Sequence, residues 1–128
     1  MSWTLSPTEQ FNRDAKKAGK SQGGEFVSVM RNLQIYMDSL NSAKSPSLIH
    51  LGFLHSEPMG VKAIDQTGGT LDDGTKRVKM KESRLYVYPD FESKTIHLFC
   101  IGNKTSQPKD IQFSKKQVEA LRKSSLGT

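Results

Sequence analysis

At 128 residues, with 34% hydrophobic and 25% charged residues, the chain is long enough for one domain (1–128) with a modest core. Its single cysteine, Cys100, excludes an internal disulfide and fits a reducing compartment; no apolar run approaches the ~18 residues of a membrane span. The net charge of +6 favours an acidic partner such as nucleic acid, an anionic surface or an acidic protein. Without a signal-peptide core at the N-terminus, the cytoplasm is the expected location.

The first elements in chain order are a short strand and a helix. Trp3, Thr4 and Leu5 favour a short strand. A capping serine at position 6, proline at the first helical position and Glu9 three residues after the cap predict a helix over about 7–18. A break over 19–24 follows.

The second helix is more strongly marked, and the segment after it is ambiguous. Apolar residues keep helical spacing over about 25–42: Phe26, Val29, Met30, Leu33, Met37 and Leu40. Residues 48–60 are too apolar for a free loop, yet Pro58 and Gly60 interrupt them.

The remaining chain predicts strands and then a last helix. Residues 61–65 favour a strand, 66–75 a turn or hairpin tip, and 76–81 a returning strand. Two further strands are predicted at 83–88 and 95–101. Ser114 as cap, Gln117 completing a capping box, and Phe113 stapled onto Val118 predict the start of the last helix.

This element order predicts an α+β fold in two layers. A small antiparallel sheet of three to four strands is expected, with two N-terminal helices and one C-terminal helix on one side. On 83–88, Leu85 and Val87 suit the helix-covered face, which leaves Arg84, Tyr86 and Tyr88 on the other.

The stretch 83–110 carries the functional signal. Arginine and tyrosines alternate along the strand 83–88, and the strand 95–101 ends at Gly102, soon followed by Lys104. Charge is concentrated in this half: residues 1–60 hold six Lys/Arg and five Asp/Glu, a balance of +1, whereas 61–128 hold thirteen and eight, a balance of +5. Such a surface suits a phosphate chain with stackable bases better than a small apolar ligand.

The element order and this stretch resemble the RelE/ParE family of small bacterial toxins, including its HigB-type members. The matching stretches are the run from Arg84 to Tyr88, the run from Ile101 to Lys104, and the earlier strand 60–64 with Lys62. The tail from Lys104 to Lys109 resembles the Lys-Thr-Gln-rich loop of HigB-like members. The resemblance covers 1–125 in element order, with residue matches concentrated in 60–111.

The resemblance implies a toxin neutralised by an antitoxin protein. RelE-like members cut messenger RNA, usually in the ribosomal A site, by attack of the substrate's own 2′-hydroxyl on the adjacent phosphate, so neither a metal nor a small-molecule cofactor is expected. ParE-like members instead poison DNA gyrase. A non-catalytic module that binds RNA or protein is a third alternative, and so is an inactivated family member.

By this resemblance Arg84, Lys104 and Lys62 are the candidate catalytic residues. The planar guanidinium of Arg84 can hold two phosphate oxygens, and the alternative is a cross-strand salt bridge to Asp or Glu. For Lys104 the alternative is a solvated loop lysine. The tyrosine that some RelE-like members carry soon after the Gly-Lys position is missing here; Asp110 is an alternative for its acid–base role, or a capping or bridging residue.

A second set of residues is expected to bind RNA: Lys76, Arg77, Lys79, Lys81, Tyr86, Tyr88 and Lys109. For the lysine-rich run the alternative is a solvated edge strand, and for the tyrosines it is packing against the C-terminal helix. Cys100 and His97 are expected to be core residues, and His50 and His55 give no recognisable site.

Overall fold

The computed structural model describes residues 2–21, 23–43, 45–67 and 82–126. Helix α1 spans Glu9–Ser21 and is capped by Thr8. The Thr8 hydroxyl accepts the N–H of Phe11 at 3.0 Å, which is the usual N-cap contact. The predicted cap at Ser6 is therefore wrong by two residues. Pro7 instead ends the preceding strand, where its missing N–H is tolerated.

Helix α2 spans Gly23–Ser42 and confirms the helix predicted at 25–42. It buries Val29, Leu33, Tyr36 and Leu40 on one stripe against the sheet. The ambiguous segment after it forms two 3₁₀ turns, Pro46–Leu48 and Pro58–Gly60, on either side of a short strand. The apolar residues of this segment are thereby used in packing, since Phe53 is buried in the core.

Among the described residues the sheet has five strands, in the order β1-β5-β4-β3-β2. All neighbours are antiparallel except β1, which lies parallel to β5. The strand bounds are Thr4–Pro7 (β1), Leu54–Ser56 (β2), Lys62–Asp65 (β3), Arg84–Asp90 (β4) and Thr95–Gly102 (β5).

Both faces of the sheet are covered. Leu85 and Val87 of β4 face the core that α1 and α2 build, as predicted. Tyr86 and Phe99 face a second core, which the C-terminal helix closes with Val118. A β-bulge between Tyr86 and Val87 shifts the pairing with β5, so that the consecutive residues Phe99 and Cys100 both pack into this second core.

Helix α3 spans Gln107–Leu126 and begins seven residues before the predicted cap. Ser114 lies inside the helix, fully buried, and its hydroxyl donates to the Asp110 carbonyl at 2.8 Å. Back-bonding of this kind satisfies a serine within a helix, so the capping box at Ser114 and Gln117 was wrong. Pro108 in the first turn fits the true start.

The α+β class is confirmed, and the described part of the chain contains the three predicted helices. The sheet has five strands rather than three to four, because β1 and the short β2 add one at each edge. It is mixed rather than antiparallel, and α3 packs on the face opposite α1 and α2 rather than beside them. The strand predicted at 76–81 lies outside the described residues.

Candidate functional site

One end of the sheet gathers the polar side chains of the face that α3 covers. The register aligns Asp65 of β3 with Arg84 of β4, and Arg84 with Gly102 of β5. Paired residues of neighbouring strands project from the same face. The next row along the sheet is His55, Ala63, Tyr86 and Cys100.

Arg84 is paired with two glutamates. Its Nε–H donates to Glu82 Oε1 at 2.8 Å, and its Nη1 lies 3.9 Å from Glu57 Oε1. The arginine side chain is 19% exposed, Glu57 14% and Glu82 37%. The alternative to phosphate binding was a cross-strand salt bridge to Asp or Glu; an ion pair is present, but its short contact is to Glu82, two residues away in the chain.

His55 and Asp65 form a second pair on this face. His55 Nε2 lies 2.6 Å from Asp65 Oδ2, and the Thr67 N–H donates to Asp65 Oδ1 at 2.8 Å. Burial raises the pKa of Asp65, but the hydrogen bonds from Thr67 and His55 outweigh burial and lower it. The carboxylate therefore adds stability above about pH 4, which is lost as the pH falls through its folded pKa.

Gly102 lets the chain turn beneath the first turn of α3. A methyl group at this position would overlap the Asp110 carboxylate and the Ser106 hydroxyl. Ser106 donates to Asp110 Oδ2 at 2.6 Å and accepts the Asn103 N–H at 3.0 Å. These contacts fix the turn that carries the exposed Lys104, two residues past the register partner of Arg84.

Asp110 is a bridging residue with a raised pKa. Burial is the main cause of the rise, and the nearby Asp14 adds to it, while Ser106 and Lys109 act against it. Both aspartates line a groove of about 480 Å³ between α1 and α3, which Lys17 and Lys109 also line. The Asp14 carboxylate is held by the N–H of Ile101 at 3.0 Å.

Tyr86 is fully buried, so the RNA-stacking role predicted for it is wrong in this structure. The sequence correctly places it on the face away from Leu85, but α3 covers that face. Among the described residues its hydroxyl has no hydrogen-bond partner. Burial is the main cause that raises the pKa of Tyr86, with Asp110 second and Arg84 acting against it.

Replacing Tyr86 with phenylalanine is expected to raise the free energy of unfolding by about 1 kcal/mol, because a buried hydroxyl without a partner is costly. The measurement is urea unfolding of wild type and Tyr86→Phe. A loss of 1 kcal/mol or more (roughly the value of a hydrogen bond) would show that the hydroxyl is satisfied.

Lys62 does not share a face with Arg84. It pairs in register with Val87, which belongs to the core beneath α1 and α2, whereas its neighbour Ala63 lies in the core beneath α3. Its ammonium donates to the Ser56 hydroxyl at 2.9 Å. A joint catalytic site of Lys62 with Arg84 is therefore wrong, since strand alternation points the two side chains in opposite directions.

The predicted RNA-binding residues are spread over the described structure. Tyr88 is half-buried and stacked on Phe99, with ring centroids 6.4 Å apart, four residues or about 13 Å along β4 from Arg84. Lys109 is exposed in the first turn of α3, beside the groove. Lys76, Arg77, Lys79 and Lys81 lie outside the described residues.

Cys100 is buried in the second core, as predicted, whereas His97 is only half-buried and lies beside that core. Burial raises the pKa of the Cys100 thiol to about 12, which leaves it a poor nucleophile. Burial lowers the pKa of His97, which stacks near Tyr88 and Phe99.

His55 is the residue that sequence reasoning missed. Its partner Asp65 is ten positions away, and only the pairing of β2 with β3 brings the two side chains together. Alternation within a correctly assigned β2 would have placed His55 on the face of Ala63, but the short strand was hidden in the ambiguous segment.

No family model matches this sequence, and no curated protein matches it either. The chain is similar to one solved structure, a double arginine-to-alanine variant of the E. coli toxin RelE in the free state. The similarity covers 91% of this chain and 98% of that one, with 14% identity and a TM-score of 0.49. Similarity of this size assigns neither family membership nor activity.

Proposed function

We propose that this protein is a RelE-type toxin that cuts messenger RNA at the ribosome. The reaction would be attack of a ribose 2′-hydroxyl on the adjacent phosphate, with cationic side chains neutralising the crowded phosphate. Arg84 and Lys104 are the proposed phosphate-binding residues, and the exposed Lys109 continues the cationic surface onto α3.

The placement of Arg84 and Lys104 is the observation that carries this proposal. Arg84 begins β4, and Lys104 lies two residues past Gly102, the residue of β5 that pairs with Arg84, so both cations are at one end of the sheet. Asp110 and Ser106 cover Gly102 on this face, so a backbone phosphate would instead take the place of Glu82 at the guanidinium. Lys104 would meet the same phosphate from the turn.

The ion pairs of Arg84 with the two glutamates are too weak to prevent phosphate binding. The pair with Glu82 is more than one-third exposed at the carboxylate, and such pairs contribute about 0–1 kcal/mol. The contact with Glu57 is long, at 3.9 Å. A bidentate arginine–phosphate contact is stronger than either, so Glu82 would be exchanged for RNA.

The proposed partner outside the ribosome is an antitoxin whose acidic segment covers this cationic half. The balance of +5 in residues 61–128 would speed association with such a segment more than it would strengthen the final complex.

No helix in the described ranges is long and apolar enough to cross a membrane. The cytoplasm is the proposed site of action, because translating ribosomes are there.

The test is cell-free translation followed by primer extension on the message, with wild type and the Arg84→Ala, Lys104→Ala double variant. Cuts within codons are expected for wild type. The double variant is expected to cut at least about 100-fold more slowly, since removal of one charge-stabilising donor alone typically costs that much.

A matched control is the Lys116→Ala variant, which removes an exposed charge from the middle of α3 and is expected to cut like wild type. An intact message with wild type would overturn the nuclease proposal. The ParE-like alternative would then remain, and a gyrase supercoiling assay would follow.

A further inference from the structure

The His55–Asp65 pair has the geometry of an oriented general base. The imidazole is held through Nε2, which leaves Nδ1 as the ring nitrogen that is not directed at Asp65. The His55 side chain is 39% exposed and the Asp65 side chain 14%, so a substrate can reach the imidazole but not the carboxylate behind it. A buried carboxylate that orients a histidine is a recurring device for proton abstraction.

The carboxylate is itself fixed in place. Asp65 lies in β3, and its backbone carbonyl accepts a hydrogen bond from Asn32 Nδ2 at 2.8 Å. The same amide donates to the Thr67 carbonyl at 3.0 Å, and Asn32 is 2% exposed. A buried asparagine of α2 thus pins the backbone on both sides of Gln66, so the direction of the Asp65 side chain is set before any substrate arrives.

The sheet register brings this pair beside Arg84. Asp65 and Arg84 are direct partners across β3 and β4, and His55 stands one row further, opposite Ala63. The Arg84 guanidinium reaches Glu57, which follows His55 by two residues on the same face. It must therefore cross the row of His55, and the small side chain of Ala63 leaves room for it there.

We infer that His55 is the general base of the proposed RNA cleavage, with Asp65 as its positioning residue; this inference rests on the proposed function. His55 Nδ1 takes the proton of the ribose 2′-hydroxyl while the 2′-oxygen forms a bond to phosphorus. The bond from phosphorus to the 5′-oxygen breaks, and that oxygen takes a proton from water. The hydroxide formed recovers the proton from His55, which leaves a 2′,3′-cyclic phosphate and a 5′-hydroxyl.

The charged groups facing His55 suit this role. Among the described residues, Asp65 on β3 contacts the imidazole directly, and Arg84 on β4 lies one row along the sheet with Glu57 and Glu82 beside its guanidinium. Arg84 would hold the phosphate while the neutral imidazole receives the proton.

The experiment uses purified ribosomes programmed with message and measures cleavage rates of intact wild type, His55→Ala and Asp65→Asn from pH 6 to 8.5. His55→Ala is expected to lower the rate at least about 100-fold. Added imidazole is expected to restore part of the activity. Asp65→Asn is expected to lower the rate about 10-fold, a smaller loss because the base itself remains.

Two further variants distinguish the general-base role of His55 from an effect of its substitution on folding. His55→Gln keeps a side chain that can hydrogen-bond to Asp65 but cannot take up a proton, so it is expected to be as slow as His55→Ala. His50→Ala removes an exposed histidine nearby in the chain and is expected to cut like wild type. Wild-type cleavage with an equally active His55→Gln would overturn this inference alone. If wild type leaves the message intact, the proposed function and this inference both fail.

Discussion

Truncation of Phe99 to alanine is expected to lower the free energy of unfolding by about 3–5 kcal/mol. The ring is 1% exposed and packs in the second core with Val61, Tyr88 and Val118. The cost combines the lost burial of the ring with the cavity left between β5 and α3. Urea unfolding of the purified variant measures it.

Phe91→Ala is the matched control, because it removes the same side chain from the turn between β4 and β5. Phe91 is 50% exposed and meets Trp3 edge-on, with ring centroids 5.2 Å apart. Its loss is expected to cost about 1 kcal/mol. Similar costs for the two variants would contradict the placement of α3 over the second face of the sheet.

Gly102→Ala is expected to destabilise the protein by about 1–3 kcal/mol and to slow message cleavage. The added methyl group would overlap the Asp110 carboxylate and the Ser106 hydroxyl, which must move apart. That movement would displace the turn holding Lys104. Urea unfolding and the primer-extension assay measure the two effects.

A glycine with free space around it provides the control. Nothing lies within 4 Å of a side-chain carbon at Gly52, so Gly52→Ala is expected to change stability by less than about 0.5 kcal/mol. Removing the Asp110 side chain should relieve the clash, so we expect Gly102→Ala to lower the free energy of unfolding less in an Asp110→Ala background than in wild type. An equal cost in both backgrounds would place the strain elsewhere.

The sequence predicted those parts of the fold that depend on local patterns. Periodicity located α2 within two residues, and alternation placed Leu85 and Val87 on the core face. The predicted start of α3 was wrong because the Ser114 hydroxyl can form a hydrogen bond to the backbone within a helix as well as at an N-cap. The predicted face for α3 was wrong because no local sequence pattern indicates which face of a sheet a terminal helix covers.

The candidate site was predicted only where it depends on residues that are close together in the sequence. Arg84 and Lys104 follow from two strands adjacent in sequence, and the structure places both at one end of the sheet. Lys62 was grouped with them by resemblance, whereas the pleat of β3 points it to the opposite face. The His55–Asp65 contact depends on the pairing of β2 with β3, and a segment interrupted by Pro58 and Gly60 gave no periodicity from which to infer it.

A message carrying a single 2′-deoxynucleotide at a mapped cut site tests the central claim most directly. The 2′-hydroxyl is the proposed nucleophile, so we expect wild type to spare that position and still cut the unmodified message there. We expect the products of the unmodified message to end in a 2′,3′-cyclic phosphate and a 5′-hydroxyl. Continued cleavage at the deoxy position, or no cleavage of either message, would contradict the account.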